Sequence, residues 1–393
     1  MTIQSKKLSS FCRTGSGGTP SRSNSKFFEN GTIPWVKSGE LKNRYITSVE
    51  EYITELAVEK SSAKLVSKGS LLIAMYGATV GEVSQLTFDA TTNQAICNIA
   101  PDENVCDVNY LYRFLEASKP YLLSRRVGGG QPNISQGIIK DLEVPLPSLS
   151  EQRRIASILD KADELRQKRQ QAIEKLDQLL QATFIDMFGD PVSNPKGFKV
   201  AKLAEQVDLI QIGPFGTQLH QEDYIENGIP LINPSHIKNG KIIPNDKLTV
   251  SKSKHEELTQ YHLRLNDVLL GRRGEMGRCA VVTEKEVGWL CGTGSLFIRP
   301  NREKINPFFL ELLLSSDSIK KYLENVSQGQ TMANLNKSIV GAIPLILPSI
   351  EIQNKFFIIS EKIDKMKSEF KNAKNRANNL FESLQNQAFS GNL

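Results

Sequence analysis

The sequence predicts a mixed α/β (α+β) protein, in which two similar domains are separated by an antiparallel two-helix coiled coil with an internal pseudo-twofold repeat. Two observations predict it. The second half of the 393-residue chain repeats the first with an offset of about 201, since Asn133 aligns with Asn334 and Gln152 with Gln353. Each copy also closes on a long amphipathic segment. A repeat of this length indicates a duplicated domain, because solenoid units span only a few tens of residues.

The two amphipathic segments carry apolar residues spaced alternately by four and three, which is the heptad pattern of a coiled coil. Each is expected to be a rod of about 55 Å that begins after a Pro-Ser pair. The alternative is two independent helices, each packed on its own domain. Pairing is favoured because the period persists, and it is antiparallel because a whole domain lies between the helices. The predicted seam comprises Ile155, Ile158, Ala162, Leu165, Leu176 and Leu179 in the first helix and Ile352, Phe356, Ile359, Ile363, Met366, Phe370, Leu380 and Leu384 in the second.

The predicted boundaries follow from these helices. Residues 1–147 and 189–347 form the two α/β domains, and residues 148–188 and 348–393 form the spacer helices. In each domain a buried strand is followed by a turn rich in glycine, at 76–81 in the first copy and 271–277 in the second. A further strand then precedes a predicted helix, near 108–126 and near 307–325.

The equivalent loops of the two copies carry different side chains, as expected of a duplicated scaffold that reads two different targets. Arginine can bond guanine or phosphate, and asparagine and glutamine suit adenine. For any single residue the alternative is an ordinary solvated loop position. The candidate DNA-binding residues are Lys37, Ser38, Tyr76, Thr79, Asn93, Gln94, Arg125, Arg126, Gln131 and Asn133 in the first copy, and Asn233, Ser235, His236, Arg272, Arg273, Arg278, Gln328, Gln330 and Asn334 in the second.

Composition and motifs exclude several classes of protein. The net charge of +6 is a mild basic excess, which by itself only weakly indicates a polyanionic partner. Five cysteines without a C-x-x-C pair argue against disulfides and a cysteine-based zinc site, and the four histidines lack ligand spacing. Phosphate-loop, zinc-protease and serine-hydrolase motifs are missing, so no catalytic residue is predicted. The lack of a signal peptide and of a long apolar run predicts a soluble, cytoplasmic protein without a membrane partner.

Several strings together are specific to one family. They are Gly18 to Ser21, Ile33 to Trp35, Gly129 to Ser135, Val144 to Pro147, Glu151 to Ala156, and Phe188 to Pro191. With them the chain resembles, over essentially its whole length, the specificity (S) subunit of type I restriction-modification systems. The second copy departs from the pattern at Glu351-Ile352-Gln353 and at Gly213 to Gly216.

The resemblance implies a non-catalytic subunit whose two target-recognition domains read a bipartite, asymmetric sequence in double-stranded DNA. It implies two methyltransferase (M) subunits as partners, which bind S-adenosylmethionine and methylate adenine N6, while this chain binds no cofactor. In this family a motor-nuclease (R) subunit can join the complex, and the sequence leaves open whether it does so here. Two alternatives remain: a coiled-coil scaffold joining two protein-binding domains, and a stand-alone DNA adenine methyltransferase.

Overall fold

The computed structural model describes residues 4–128, 132–274, 276–327 and 335–393. The chain forms two compact units. Residues 1–171 together with 370–393 make the first unit, and residues 172–369 make the second. Each unit therefore contains one globular part and one end of each long helix.

The first unit is built on two sheets. Its strands are β1 (Ser5–Lys7), β2 (Cys12–Ser16), β3 (Ile33–Val36), β4 (Tyr45–Ile46), β5 (Tyr52–Ile53), β6 (Leu65–Val66), β7 (Leu71–Ala74), β8 (Val83–Leu86), β9 (Ala90–Thr92), β10 (Ile96–Pro101) and β11 (Glu143–Pro145). Its helices are α1 (Glu55–Lys60), α2 (Val108–Ala117), α3 (Lys119–Ser124), α4 (Gln136–Lys140) and the start of α5 (Leu149–Phe188). The larger sheet has the order β2-β10-β7-β8-β4, the second has the order β5-β3-β9-β6, and β1 pairs with β11.

The sequence of strand β7 is continuously apolar because both faces of the strand are buried. Successive side chains of a strand point to opposite faces. Leu71 and Ile73 pack in the core formed with α2 and α5, whereas Leu72 and Ala74 pack in the core on the other face. Both faces of this strand are therefore covered, as expected for a buried strand.

The second unit repeats this plan. Its strands are β12 (Lys199–Lys202), β13 (Val207–Ile212), β14 (Tyr224–Ile225), β15 (Ile229–Ile232), β16 (Ile237–Lys238), β17 (Lys241–Ile242), β18 (Thr249–Val250), β19 (Val268–Gly271), β20 (Cys279–Val281), β21 (Leu290–Cys291), β22 (Ser295–Pro300) and β23 (Pro344–Leu347). Its helices are α6 (Lys252–Glu257), α7 (Pro307–Ser315), α8 (Asp317–Ser327), α9 (Lys337–Gly341) and the start of α10 (Ile350–Ser390). The main sheet has the order β13-β22-β19-β20, and β14-β18-β15-β21 forms a second sheet.

A buried glutamine joins each long helix to its domain in the same way. Gln152 in α5 accepts a hydrogen bond from the backbone N–H of Asp107 at 2.8 Å and donates to the carbonyl of Pro147 at 2.9 Å. Gln353 in α10 accepts from Asn306 at 2.9 Å and donates to Pro348 at 2.9 Å. Because Asp107 and Asn306 cap α2 and α7, these bonds fix the start of each long helix against an equivalent domain helix.

The long helices pair antiparallel within each unit. In the first unit the Arg166 guanidinium lies 4.2 Å from the centre of the Phe381 ring, and Lys374 donates to Gln170 at 2.6 Å. In the second unit Lys367 pairs with Asp177 at 2.8 Å. There the ring centres of Phe184 and Phe356 also lie 5.7 Å apart, so in each unit the residue number rises along α5 as it falls along α10, which establishes the antiparallel direction.

The predicted seam differs from the observed contact line. Ile155, Leu176, Phe356 and Ile363 are buried, and Ile158, Ala162, Ile359, Phe370 and Leu384 are half-buried. The prediction is wrong at Leu165 (52% exposed), Leu179 (52%), Ile352 (38%), Met366 (46%) and Leu380 (58%). Near these positions the side chain that contacts the other helix belongs to the next residue along the chain, as at Arg166, Lys367 and Phe381. Long polar side chains can cover apolar surface with their stems, so residue type alone did not reveal them.

The predicted helices near 108–126 and 307–325 are each divided in two. Ser118 separates α2 from α3, whose first turn contains Pro120, a residue that favours a new helix start. Ser316 has an extended backbone between α7 and α8. Both breaks occur at serine, and they turn α3 and α8 toward the glycine-rich turns described next.

Candidate nucleic-acid interface

Strand pairing gathers the predicted residues of the first unit at one edge of its main sheet. Ser16 pairs with Cys97 and Ala74 pairs with Ile96, both antiparallel. The segments after β2, after β7 and before β10 therefore meet at the same edge. Tyr76 follows β7 there, and Asn93 and Gln94 precede β10. We call this the first reading edge, comprising residues 17–19, 37–40, 76–81, 93–94 and 132–134.

Two further segments complete the first reading edge. Strand β3 runs parallel to β9, and the Asn93 N–H donates to the Val36 carbonyl at 2.9 Å, which places Lys37 and Ser38 beside Asn93. Asn133 pairs with both Tyr76 and Val127. The exposed Arg125 and Arg126 directly precede Val127, so the sequence-predicted residues of the first copy lie together, apart from Gln131, which lies outside the described residues.

The charge of Lys37 is already compensated by protein carboxylates. Its ammonium group lies 2.9 Å from Glu50 and 2.8 Å from Glu51. Hydrogen bonds from Arg22 and then from Lys37 lower the pKa of Glu51 to about 2. This ion cluster gives Lys37 a role in holding the loop after β3, and a phosphate contact would have to compete with two carboxylates.

The side chains open to solvent on the first reading edge are mostly uncharged. Tyr76 is 43% exposed, Gln94 is exposed and bonded to the Thr19 hydroxyl, and Thr79 is half-buried with its hydroxyl donating to the Tyr76 carbonyl at 3.2 Å. Asn93 is half-buried, and its buried Oδ1 has no hydrogen-bond partner among the described residues. Such an edge offers donors and acceptors for base edges rather than a dense positive charge.

The second reading edge has the same topology and different chemistry. It comprises residues 213–216, 233–236, 271–274 and 293–294. Gly271 pairs with Ser295, and Ile212 pairs with Leu296, so the ends of β13 and β19 meet the start of β22. The half-buried Asn233 accepts a hydrogen bond from the Gly294 N–H at 3.1 Å, and Ser235 is exposed.

Two predicted residues of this edge are buried, which differs from the expectation of loop side chains free to contact DNA. The Arg272 guanidinium donates to the Leu335 carbonyl at 3.2 Å, and its pKa is lowered by desolvation and then by Arg273. His236 accepts at Nδ1 from the Asn233 N–H at 3.3 Å, and burial lowers its pKa. Both side chains support the loop backbone, whereas Arg273 is exposed and Arg278 half-buried. Gln328, Gln330 and Asn334 lie outside the described residues.

Sequence reasoning missed the lysines behind the turns. The φ of Gly81 is +82°, and a Cβ atom at this glycine would lie 2.9 Å from Cγ of Lys119. The Lys119 ammonium bonds Glu82 at 2.6 Å. In the second unit a side chain at Gly277 would collide with Lys320. In both units, therefore, a lysine from the helix that follows the serine break packs against the glycine of the turn. The presence of such a glycine and such a lysine in both copies of the repeat could have predicted this contact.

Other kinds of site find no support in the described parts of the chain. No group of histidine, cysteine and acidic residues there could hold a metal ion, and the five cysteines are free and buried. None of the helices within the described ranges is long and apolar enough to cross a membrane.

Comparison with known proteins identifies related sequences. A family model described as the type I restriction modification DNA specificity domain matches residues 2–175 and 195–378. The EcoR124I/EcoR124II specificity subunit of Escherichia coli is 33% identical over 168 residues, 42% of this chain and 41% of that protein. The MjaIX specificity subunit of Methanocaldococcus jannaschii is 29% identical, over 61% of this chain and 59% of that protein. The chain thus spans less than two thirds of these two relatives. The MjaVIII specificity subunit of the same organism is 25% identical over 87% of this chain and 86% of that protein.

Solved structures share the fold. The S subunit of a type I restriction-modification system from M. genitalium has a TM-score of 0.58 at 16% identity and covers 99% of this chain and 96% of that chain. A second solved structure is described as the structural basis of complex assembly and conformational transition of the type I R-M system. One of its chains has a TM-score of 0.65 at 18% identity, with 100% of both chains covered.

Proposed function

The chain belongs to the family of type I restriction-modification DNA specificity domains, and from this premise we propose that it reads a bipartite, asymmetric DNA target. The observation that carries the proposal is the pair of reading edges. They share one topology, yet Tyr76, Thr79 and Gln94 on the first contrast with Arg273 and Ser235 on the second. Two scaffolds of the same shape with different loop side chains suit two different half-sites.

We further propose the partners. The chain docks two methyltransferase subunits, which bind S-adenosylmethionine and methylate adenine, and a motor-nuclease subunit joins the complex in the cytoplasm. The curated relatives are specificity subunits, so they favour a non-catalytic role over a stand-alone methyltransferase. Sequence-specific binding to duplex DNA would separate this function from that of a scaffold for proteins.

A domain exchange tests the proposal. Residues 1–147 are replaced by the equivalent domain of a relative, the chimera is expressed with its methyltransferase partner, and methylated adenines are mapped across the host genome. We expect one half of the methylated target to change and the other to remain. The reciprocal exchange of residues 189–347 is the matched control and should change the opposite half. A change in both halves after either exchange would contradict reading by independent domains.

A further inference from the structure

The second reading edge contains a cleft. The cleft has a volume of about 370 Å³. Its lining combines apolar and aromatic groups with arginine and a hydroxyl, from Phe215, Leu219, Tyr224, Arg272, Arg273 and Thr293. Phe215, which lines this cleft, is 58% exposed, so its ring is accessible to a partner at the reading edge.

The loop that carries Phe215 is braced. The Gln218 N–H donates to the Phe215 carbonyl at 2.9 Å, and the Gln218 side-chain oxygen accepts from the Phe215 N–H at 3.4 Å. The same oxygen accepts from the hydroxyl of Tyr261 at 2.6 Å, and Tyr261 is buried. The exposed ring is therefore presented by a loop anchored to the protein core, so a partner that contacts it meets a preorganised surface.

The position of the ring follows from the sheet. Gly213 donates to the Ser295 carbonyl at 3.0 Å and Arg272 donates to the Gly294 carbonyl at 3.0 Å, so the loop after β13 lies at the same edge as the turn after β19. At the aligned position of the first copy stands Thr19, whose hydroxyl bonds Gln94. The first edge thus presents a polar pair where the second presents an aromatic ring.

We propose that Phe215 is a specificity-determining residue that packs on the 5-methyl group of a thymine in the second half-site. This inference rests on the proposed function. In the major groove, the thymine methyl is the apolar feature of a base pair, whereas the other base edges are donors and acceptors that a phenyl ring would desolvate without bonding. Arg273, exposed beside the cleft, supplies the polar contact to a neighbouring base or phosphate.

The test removes the methyl group from the DNA and the ring from the protein. Each thymine of the methylome-defined target is replaced in turn by deoxyuridine, and binding is measured with the full chain in complex with its methyltransferase partner. For the unmodified protein we expect one position in the second half-site at which uracil weakens binding about three- to fivefold, the effect of losing one buried methyl. With Phe215→Ala the thymine duplex should bind more weakly, and the penalty for uracil at that position should vanish.

The matched control is Leu265→Ala. Leu265 is an apolar residue with 44% exposure that precedes β19, at the opposite end of the sheet from the cleft, and its removal should leave the uracil penalty in place. The inference is overturned if no thymine in the second half-site is sensitive to its methyl, or if Phe215→Ala retains the full penalty. Failure of the unmodified complex to prefer its target over a scrambled duplex would instead overturn the proposed function.

Discussion

Glu311 is a half-buried carboxyl group in α7 that the proposed function does not use. Its Oε1 lies 3.8 Å from Sγ of Cys279, whose own thiol donates to the Glu311 backbone carbonyl at 3.3 Å. Desolvation raises the pKa of Glu311 from its ordinary 4.5 to about 7. The folded state therefore holds the proton more tightly than the unfolded state does, and stability decreases as the pH rises through the window from 4.5 to about 7.

Replacing Glu311 by glutamine should remove this dependence. At pH 4 the carboxyl is mostly protonated in both the folded and the unfolded state, so Glu311→Gln and the unmodified chain should have similar stability. At pH 8 the unmodified chain should be less stable than the variant by about 3 kcal/mol, the cost of ionising the desolvated carboxyl. Urea unfolding followed by Trp289 fluorescence in a Trp35→Phe background measures this in the second unit. If the variant and the unmodified chain had equal stability at both pH values, the raised pKa of Glu311 would be contradicted.

Among the secondary-structure elements, the start of each long helix contacts its domain helix through a shared glutamine and, beside it, through side chains that differ between the two units. In the first unit the fully buried Arg113 of α2 bonds Asp160 of α5 at 2.8 Å and Asp163 at 3.2 Å. Arg44 adds a second bond to Asp160 at 2.7 Å. In the second unit the equivalent junction, between α7 and the start of α10, is aromatic, with the ring centres of Phe308 and Phe357 4.4 Å apart. The repeat preserves the arrangement of the helices and the glutamine bonds, while the other side chains at this junction have diverged.

Removing Arg113 should destabilise the first unit strongly. Arg113→Ala leaves Asp163, which is 8% exposed, without its main buried counter-charge, and we expect a loss of about 3 to 5 kcal/mol in the free energy of unfolding. Lysine should not restore it, because the bonds to three carboxylates, those of Glu116, Asp160 and Asp163, need the guanidinium fork. Trp35 fluorescence in a Trp289→Phe background reports on this unit.

The matched control for Arg113 is Arg154→Ala in α5, whose partner Glu151 lies three residues away on the solvent side. It should change the unfolding midpoint little. Similar losses for Arg113→Ala and Arg154→Ala would mean that the buried ion cluster does not anchor α5.

For the molecule as a whole, the coiled coil predicted from the sequence implies that α5 and α10 set the distance between the two half-sites that are read. Inserting seven residues after Leu180 and seven after Asp364 adds one heptad to each helix at facing positions, since Lys367 pairs with Asp177 nearby. Each helix lengthens by about 10 Å, close to three base pairs of DNA. We expect the unread gap between the half-sites to grow by about three base pairs while the half-sites stay the same.

A seven-residue insertion in α5 alone is the control and should impair assembly, because it puts the facing side chains out of register. The original gap, with activity retained in the double insertion, would show that the helices do not set the spacing.

The sequence alone determined the features that depend on local or repeated patterns. The duplication, the family and two long antiparallel helices were predicted correctly, because heptad periodicity and a 201-residue repeat persist over many residues and tolerate local exceptions. The long helices begin within one or two residues of their predicted starts for the same reason, since proline followed by serine acts on the adjacent backbone.

Only the tertiary structure decided which side chains face each other. Arg113 and Asp160 are separated by 47 residues, and no periodic pattern in the sequence predicts their contact. Leu165 is apolar yet exposed, while Arg272 is charged yet buried, because burial depends on which neighbours the strand pairing and helix packing bring together. The candidate residues of each reading edge come from separate loops, and the pairing of their strands, antiparallel in the main sheet and parallel between β3 and β9, places them side by side. A pattern along the chain identifies an element, whereas a site is made by contacts between elements, which the chain order does not specify.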